Sequence, residues 1–258
     1  MNKIIPLLLM FVLCSCSSQQ MKTNDLSSQT LSPHSSKAPH SNADTANADE
    51  ENLLPRLTRY LKQGIASWYG PKFHGKKTAS GEIYDMYAMT AAHKTLPISS
   101  YARVTNLENQ RSVIVRINDR GPFQGNRLMD LSYAAAKKLD LHQAGSAAVE
   151  IKAIAPEQAL AQMQNAAKTQ EKNVYLQVGT FGNKKKAMNL KNKIVAHHLP
   201  QPEILPSTHK GSTLYKVQMG PIKSPENAHK LNIQLAKLGI TATQFVSETD
   251  QKQISMIQ

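Results

Sequence analysis

Four residues that could exchange protons with a substrate lie within 49 positions of the chain: Glu82, His93, Asp119 and Asp130. A carboxyl group or an imidazole can give a proton to a leaving group and take one from a nucleophile, so these residues are candidates for general acid–base catalysis. Asp119 is the first candidate, because it follows a β-branched run and precedes Arg120-Gly121-Pro122, at a strand-to-turn junction that faces solvent or a cleft. Glu82 is the second, because it follows Gly81 in a polar loop.

Each of these residues also has a structural interpretation. Asp119 beside Arg120 could form a local ion pair or cap a turn. Asp130 stands two residues before Ser132 and could belong to the start of a helix. A single histidine such as His93 is more often structural than catalytic. The residue types alone therefore leave both interpretations open.

Short strands with turns between them must position these side chains. The run 112–117 is strongly β-branched, residues 101–104 alternate upstream of it, and turn residues lie at 108–110, which together predict a hairpin. Ser132 is placed to cap a short helix, and residues 147–154 predict a closing strand. We therefore expect a small β-barrel with one short helix over residues 61–155.

An internal repeat predicts a second folded part over residues 173–248. The segment YLQVGTF at 175–181 is echoed by YKVQMGPI at 215–222, and each precedes a helix-like basic stretch and a further apolar run. The order strand, helix, strand, strand, helix, strand implies a four-stranded sheet with both helices on one face. Residues 156–172 are polar and rich in alanine and glutamine, which predicts a partly helical linker between the two parts.

Charge and cysteine content narrow the function. The formal net charge of +13 favours acidic partners, namely nucleic acid, an anionic membrane or an anionic polymer. In residues 173–248, ten lysines stand against three acidic residues. The only two cysteines are Cys14 and Cys16, so the rest of the chain has no disulfide framework, thiolate zinc site or cysteine nucleophile.

The first residues predict export. Lys3 precedes an apolar run over 4–13, which is shorter than the roughly 20 residues that cross a bilayer, and small residues follow, as in a signal peptide over 1–15. Ser15 before Cys16 resembles the bacterial lipobox, in which the cysteine is lipidated. An ordinary cleaved signal with incidental cysteines is the alternative. Export argues against nucleic acid as a partner and favours the anionic cell wall.

A polar segment separates the predicted anchor from the barrel. Residues 16–60 carry the lipidated Cys16 and then mostly Ser, Thr, Asn, Gln and Ala, with too little apolar surface to offset the entropy of ordering. We expect a disordered linker that spans about 35 Å as a coil. Ser17 in place of aspartate favours the outer membrane, by resemblance to lipoprotein sorting. Residues 249–258 are expected to form a tail.

Several motifs, in this order and spacing, resemble the rare lipoprotein A family. They are ASWYG at 66–70, TASGE at 78–82, TAAH at 90–93, NDRGP at 118–122 and DLS at 130–132. The first domain of that family is a double-psi β-barrel related to expansins, and the repeat at 175–181 and 215–222 resembles its C-terminal SPOR module. The resemblance implies a multidomain chain: an all-β double-psi β-barrel followed by a small α+β SPOR domain.

This resemblance implies an endolytic lytic transglycosylase of peptidoglycan. Such an enzyme cuts between N-acetylmuramic acid and N-acetylglucosamine, and the muramyl C6 hydroxyl attacks C1 to leave a 1,6-anhydro end. One carboxyl can serve as acid and then base, whereas hydrolysis needs a second carboxylate or an activated water. The alternative is a non-catalytic, expansin-like glycan-binding lipoprotein, and a third is a hydrolase in which Asp119 and Asp130 flank one bond.

The resemblance also implies roles for individual residues of the barrel. Asp119, Glu82 and His93 match family positions important for cleavage, with His93 expected to hydrogen-bond one of the two carboxylates, and Asp130 is expected to contribute to the site. Trp68 and Tyr69 could be core or could stack on sugar. The residues expected to line the substrate groove are Tyr69, Thr78, Tyr84 and Arg120.

The SPOR-like sheet is expected to bind glycan on the face opposite its helices. The candidates there are Gln177, Phe181, Tyr215 and Gln218, whereas Tyr175, Val178 and Val217 are expected to be core. The expected partners are glycan strands without stem peptides and, through the lipid anchor, the membrane itself. The expected location is the periplasmic side of the outer membrane, at the division septum. Divisome proteins are further candidate partners. No metal and no cofactor is expected.

Overall fold

The structure, a computed structural model, describes residues 59–248. In chain order the elements are β1 (Leu61–Trp68), a 3₁₀ turn (Pro71–Phe73), β2 (Thr90–His93), β3 (Tyr101–Asn106), β4 (Ser112–Asp119), β5 (Arg127–Leu131), α1 (Tyr133–Lys138), β6 (Ser146–Ile154), α2 (Pro156–Lys168), β7 (Val174–Phe181), α3 (Lys184–Ala196), β8 (Glu203–His209), β9 (Ser212–Met219), α4 (Pro225–Lys237) and β10 (Gln244–Ser247). The predicted signal peptide 1–15, the lipidated Cys16, nearly all of the linker 16–60 and the tail 249–258 lie outside the described residues.

The first six strands close into a barrel in the order β1-β5-β2-β4-β3-β6. β1 pairs in parallel with β5, and β2 in parallel with β4, while the other neighbours are antiparallel. Val115, Ile117 and Ile151 are fully buried in its apolar core. The predicted all-β, double-psi β-barrel class is confirmed.

Local sequence signals place the elements near the candidate site. The predicted hairpin is confirmed as β3 and β4, which pair antiparallel. Ser132 caps α1, because its hydroxyl accepts the Ala135 N–H at 3.2 Å. The predicted closing strand is β6. Strand ends and a capped helix therefore come together where Asp119 ends β4 and Asp130 lies one residue before the end of β5.

The second folded part is a four-stranded sheet in the order β10-β7-β9-β8. Side chains of the sheet, such as Leu176 and Val217, share one buried apolar cluster with Ile194 of α3 and Leu235 of α4. Both helices thus cover the same face, and the α+β class predicted from the repeat is confirmed. The edge strand β8 contains Pro206 within its paired length.

Helix α2 connects the two folded parts and is packed rather than extended. Its Ala159 and Leu160 are fully buried, in the same cluster as Tyr101 of the barrel and Phe245 of the sheet. The segment expected to be a partly helical linker therefore joins both parts through apolar contacts. Across residues 59–248, no helix has the length and apolar character needed to cross a membrane.

Candidate active site

A tight loop between β1 and β2 reaches the end of β4. Within the loop, the Thr78 N–H donates to the Glu82 carbonyl at 2.9 Å. Gly81 has φ +83, a left-handed conformation that glycine adopts without steric cost. Ser80 N–H then donates to the Asn118 carbonyl at 3.1 Å. The loop tip, which carries the predicted Glu82, is thereby fixed beside Asp119.

The Asp119 carboxyl group is held by three hydrogen-bond donors. Its Oδ1 accepts the backbone N–H groups of Ala79, at 2.9 Å, and Arg120, at 2.8 Å. Its Oδ2 accepts the Tyr69 hydroxyl at 3.0 Å. The residue is only partly buried. Asp119 is therefore a carboxyl group with a fixed orientation and access to solvent, which a proton-transfer group requires.

Tyr69 is a positioning neighbour of this carboxyl group. Its ring lies 5.1 Å from that of Tyr84 and 5.8 Å from that of Phe73, measured between centroids. Burial, followed by the charge of Asp119, raises the pKa of Tyr69 well above its ordinary value. The phenol therefore stays protonated and donates a hydrogen bond to Asp119. Tyr69 was predicted to line the substrate groove, and in the structure its hydroxyl group orients the candidate acid.

Asp130 lies near the same point but has a different partner. The strand register pairs Ala92 of β2 with both Asp119 and Asp130, which puts their Cα atoms about 10 Å apart. Arg127 donates to both Asp130 oxygens, from Nε at 3.0 Å and Nη2 at 3.2 Å. Asp130 is therefore an ion-paired residue at the border of the site, and Ser132 caps the helix that follows.

Glu82 forms a buried ion pair rather than a free carboxylate. Its Oε2 accepts hydrogen bonds from Arg116 Nη2 and, at 3.3 Å, from Asn118 Nδ2. The Arg116 side chain is 2 % exposed. The sequence analysis missed Arg116 and Asn118, although a charged residue inside a β-branched strand is a signal that it needs a buried partner. Glu82 anchors the loop to β4 in this arrangement.

The expected hydrogen bond from His93 to one of the carboxylates is wrong. His93 Nδ1 accepts the N–H groups of Thr95, at 3.1 Å, and Leu96, at 2.9 Å, while Nε2 lies 2.8 Å from the Tyr60 hydroxyl. Because Nδ1 is an acceptor, the proton of the neutral ring sits on Nε2. Burial, with the charge of Arg120 next, lowers the pKa of His93 to about 4. His93 therefore fixes the turn after β2 as a neutral ring.

The other predicted groove residues are mostly turned inward. Arg120 Nη1 donates to the carbonyls of Leu96, at 2.8 Å, and His93, at 3.3 Å. Thr78 is 9 % exposed and Tyr84 only 4 %. By contrast, Phe123, which the sequence analysis missed, is 85 % exposed and follows Asp119 by four residues. This aromatic side chain is available to stack on a sugar.

The base of the same loop carries a second charged site. Asp85 is 3 % exposed, and its Oδ1 accepts the Tyr87 N–H at 3.0 Å. Its Oδ2 lies 2.6 Å from Nζ of Lys216, a residue of β9, and its Oδ1 lies 3.9 Å from His74 Nδ1.

In the part of the chain that the structure describes, no group of three or more His, Asp or Glu side chains could hold a metal ion.

The four predicted glycan contacts of the second sheet divide between its faces. Gln177 and Gln218 pair in register on the face opposite the helices, where Gln218 Nε2 donates to Gln177 Oε1 at 3.3 Å. Phe181 and Tyr215 also pair in register, but they pack against the helix-side core. Their predicted place on the face opposite the helices is therefore wrong.

Tyr175 was expected in the core, and this expectation is also wrong. It lies half-exposed on the face opposite the helices, and its hydroxyl donates to Glu248 Oε1 at 3.0 Å. With Glu203, Leu205 and Gln218 it lines a cavity of about 240 Å³. Tyr175 is thus an aromatic residue on the helix-free face of the sheet rather than in its core.

Comparisons with known proteins agree with both folded parts. The family described as "Lytic transglycolase" matches residues 61–151, and the SPOR domain matches residues 170–245. The "Endolytic peptidoglycan transglycosylase RlpA" of Neisseria meningitidis serogroup A (strain Z2491) is 45% identical over 182 residues, which cover 69% of this chain and 73% of that protein. The protein of the same name from Pseudomonas aeruginosa (strain UCBPP-PA14) is 39% identical over 236 residues, covering 70% and 69%.

A solved structure, "RlpA SPOR domain from Pseudomonas aeruginosa", is 26% identical, covers 28% of this chain and 96% of that one, and has a TM-score of 0.27. The identity of the two RlpA matches, and the two thirds or more of each chain that they cover, are sufficient to assign a family. The chain belongs to the rare lipoprotein A (RlpA) family.

Proposed function

We propose that this protein is an endolytic peptidoglycan transglycosylase with Asp119 as its proton-transfer group. The names of its relatives and the match of the barrel to the lytic transglycolase family support the activity. The observation that carries the assignment is the carboxyl group of Asp119, partly exposed and fixed by Tyr69, Ala79 and the Arg120 amide. Asp130 and Glu82 each have an arginine partner instead.

One carboxyl group is sufficient for the reaction. Protonated Asp119 gives its proton to the glycosidic oxygen of the leaving N-acetylglucosamine as the bond from that oxygen to C1 of the muramyl residue breaks. The muramyl C6 hydroxyl forms the new bond to C1, and its proton passes to the Asp119 carboxylate. Asp119 ends in its starting state and no water is consumed. Tyr69 fixes the carboxyl group, while Glu82, His93 and Asp130 act by holding the loop and strand ends around it.

We also propose that the SPOR domain directs the barrel to glycan strands without stem peptides at the division septum. The SPOR match supports binding to the wall. The excess of ten lysines over three acidic residues in 173–248 supports attraction to a polymer whose muramyl residues carry carboxylates. In the same proposal, lipid on Cys16 tethers the chain to the periplasmic side of the outer membrane.

Product analysis separates the candidate functions. Residues 17–258 are incubated with peptide-free glycan strands, and the products are analysed by mass spectrometry. We expect 1,6-anhydro ends. Reducing ends would show that the protein is a hydrolase instead. Intact strands that co-sediment with the protein would show that it is a non-catalytic glycan-binding lipoprotein.

Replacing the candidate acid tests the residue assignment. Asp119→Asn keeps the size of the side chain but cannot donate and accept the proton, so we expect the rate of anhydro-end formation to fall by about 100-fold or more. Asp140→Asn makes the same chemical change at an exposed residue paired with Arg111, where we expect the rate to stay at the unaltered value. An Asp119→Asn variant with full activity would overturn the assignment.

A further inference from the structure

Much of the helix-free face of the second sheet is buried. Lys216 and Gln177 on this face are each 7 % exposed, Gln218 is 4 % exposed, and Leu214 and Gln244 are each 2 % exposed. Polar side chains on the outer face of a single sheet would normally be in contact with water. Another part of the chain must therefore cover this face.

The covering part is a short segment, residues 85–89, at the base of the loop between β1 and β2. Asp85 pairs with Lys216 at 2.6 Å, and the Tyr87 hydroxyl lies 2.6 Å from His209 Nδ1. Gln244 Nε2 donates to the carbonyl of Met89 at 3.1 Å. These contacts extend from β10 at one edge of the sheet to the end of β8 at the other. The barrel therefore lies across much of the face proposed to bind glycan.

The β10 edge of the sheet is attached to the barrel in a second way. The Phe245 N–H donates to the Tyr101 hydroxyl at 2.9 Å, and the two rings stack with centroids 5.6 Å apart. Helix α2 packs in the same apolar cluster. This side is apolar and continuous, whereas the Asp85–Lys216 side is held by polar contacts. Opening at the polar side about the β10 edge exposes the face without separating the two parts.

We propose that the barrel and a glycan strand compete for this face of the SPOR domain, so that the closed chain is restrained in its binding to the wall. The inference rests on the proposed glycan-binding function of the sheet. The cavity at Tyr175 lies at the uncovered part of the same face, which gives a strand a first contact. Gln177, and the part of Gln218 that does not border this cavity, become available only after the barrel segment has left.

In this proposal the Asp85–Lys216 ion pair stabilises the closed form. Both side chains are almost fully buried, 2 % and 9 % exposed, so removing one charge leaves the other without its partner. In an Asp85→Lys variant, two ammonium groups would meet in a buried site, and the face should open. Exchanging the two residues, as Asp85→Lys with Lys216→Asp, restores opposite charges and should close it again.

Thiol labelling measures the opening independently of glycan. Residues 17–258 contain no cysteine, so a single introduced thiol reports on one position. Gln218→Cys lies on the covered face, and Val217→Cys lies in the helix-side core. If the closed form holds about nine-tenths of the molecules, Asp85→Lys should speed labelling at position 218 about tenfold. The charge exchange should reverse this, while position 217 stays protected.

Unchanged labelling at position 218 would overturn the proposed competition, because it would show that disrupting the Asp85–Lys216 ion pair does not open the face. Labelling at both positions would mean that Asp85→Lys unfolds the sheet. The milder Tyr87→Phe, which removes only the hydrogen bond to His209, then decides: faster labelling at position 218 alone supports the proposal, and an unchanged rate overturns it.

Co-sedimentation with peptide-free glycan tests competition directly. It is measured in an Asp119→Asn background, where the strands stay intact, and Asp85→Lys should lower the apparent Kd about tenfold. Labelling that rises without any gain in affinity would overturn the competition alone. Labelling that rises while no variant binds glycan would overturn the proposed function of the sheet, and the competition with it.

Discussion

At the scale of single residues, the candidate site is organised by neutral hydrogen-bond donors around one carboxyl group. Asp119 receives two backbone N–H groups and a phenol, whereas Glu82 and Asp130 are each neutralised by an arginine. The sequence predicted Asp119 because its position at a strand end is a local property. It placed Tyr69 in the groove but did not predict that Tyr69 and Ala79 donate to Asp119, because they lie 50 and 40 positions away and meet it only through the closed barrel.

Phe123 is the exposed aromatic residue nearest in sequence to Asp119, and it gives a test at this scale. Phe123→Ala removes a ring that is 85 % exposed, so the free energy of unfolding should change by less than about 0.5 kcal/mol. If the ring stacks on sugar, the KM for glycan strands should rise about three- to tenfold. Michaelis–Menten kinetics and urea unfolding provide the two measurements.

The control for Phe123→Ala is Ile233→Ala on α4, which removes an exposed apolar side chain of the second folded part. It should leave KM as it is. A KM that does not respond to Phe123→Ala would show that this ring lies outside the path of the substrate.

At the scale of elements, strands and helices followed from local patterns, but the faces of the second sheet did not. A register shift lies between Gln177 and Gly179, so Phe181, four residues after Gln177, points to the opposite face. Simple alternation would have kept these two side chains together. Tyr215 and Gln218 are separated by three positions without such a shift, and alternation alone already assigns them to opposite faces.

The turn after β2 depends on a neutral His93, which predicts a pH dependence of stability. The pKa of His93 in the folded chain is about 4, against 6.5 for an ordinary histidine, so the unfolded chain binds the proton more readily. The contribution of His93 is therefore complete above pH 6.5 and is lost as the pH falls towards 4. The loss should amount to about 3 kcal/mol.

His93→Asn isolates this effect, because its amide oxygen can accept the Thr95 and Leu96 N–H groups but does not titrate. Urea unfolding between pH 7 and pH 4 should show a smaller loss of stability for His93→Asn than for the unaltered chain. His229→Asn, at an exposed position on α4, is the control and should keep the original slope. Equal slopes for all three proteins would contradict the assignment.

At the scale of the whole molecule, the two folded parts are less independent than the sequence indicates. Composition separates them, because residues 156–172 are polar and carry no strong apolar pattern. The structure joins them through one cluster that includes Tyr101 and Ile154 of the barrel, Leu160 of α2 and Phe245 of the sheet. This cluster could not be predicted, because each member had a plausible place in the core of its own domain.

A shared core predicts cooperative unfolding. Residues 17–258 should give one calorimetric transition in which the calorimetric and van't Hoff enthalpies agree. Tyr101→Ala removes a ring that is 5 % exposed and the acceptor of the Phe245 N–H, and should lower the stability by about 3–5 kcal/mol or divide the transition into two. Two transitions in the unaltered chain would show that the parts unfold separately.

The borders of the second sheet have a consequence for the proposed concentration of the protein at the cell wall. An uncovered edge strand offers a row of N–H and C=O groups to which another chain can add, and that route leads to aggregates. Here the β10 edge is occupied by the Tyr101 hydroxyl, and the β8 edge contains Pro206, which contributes no N–H. Many copies can therefore be crowded side by side without their sheets joining into a continuous fibre.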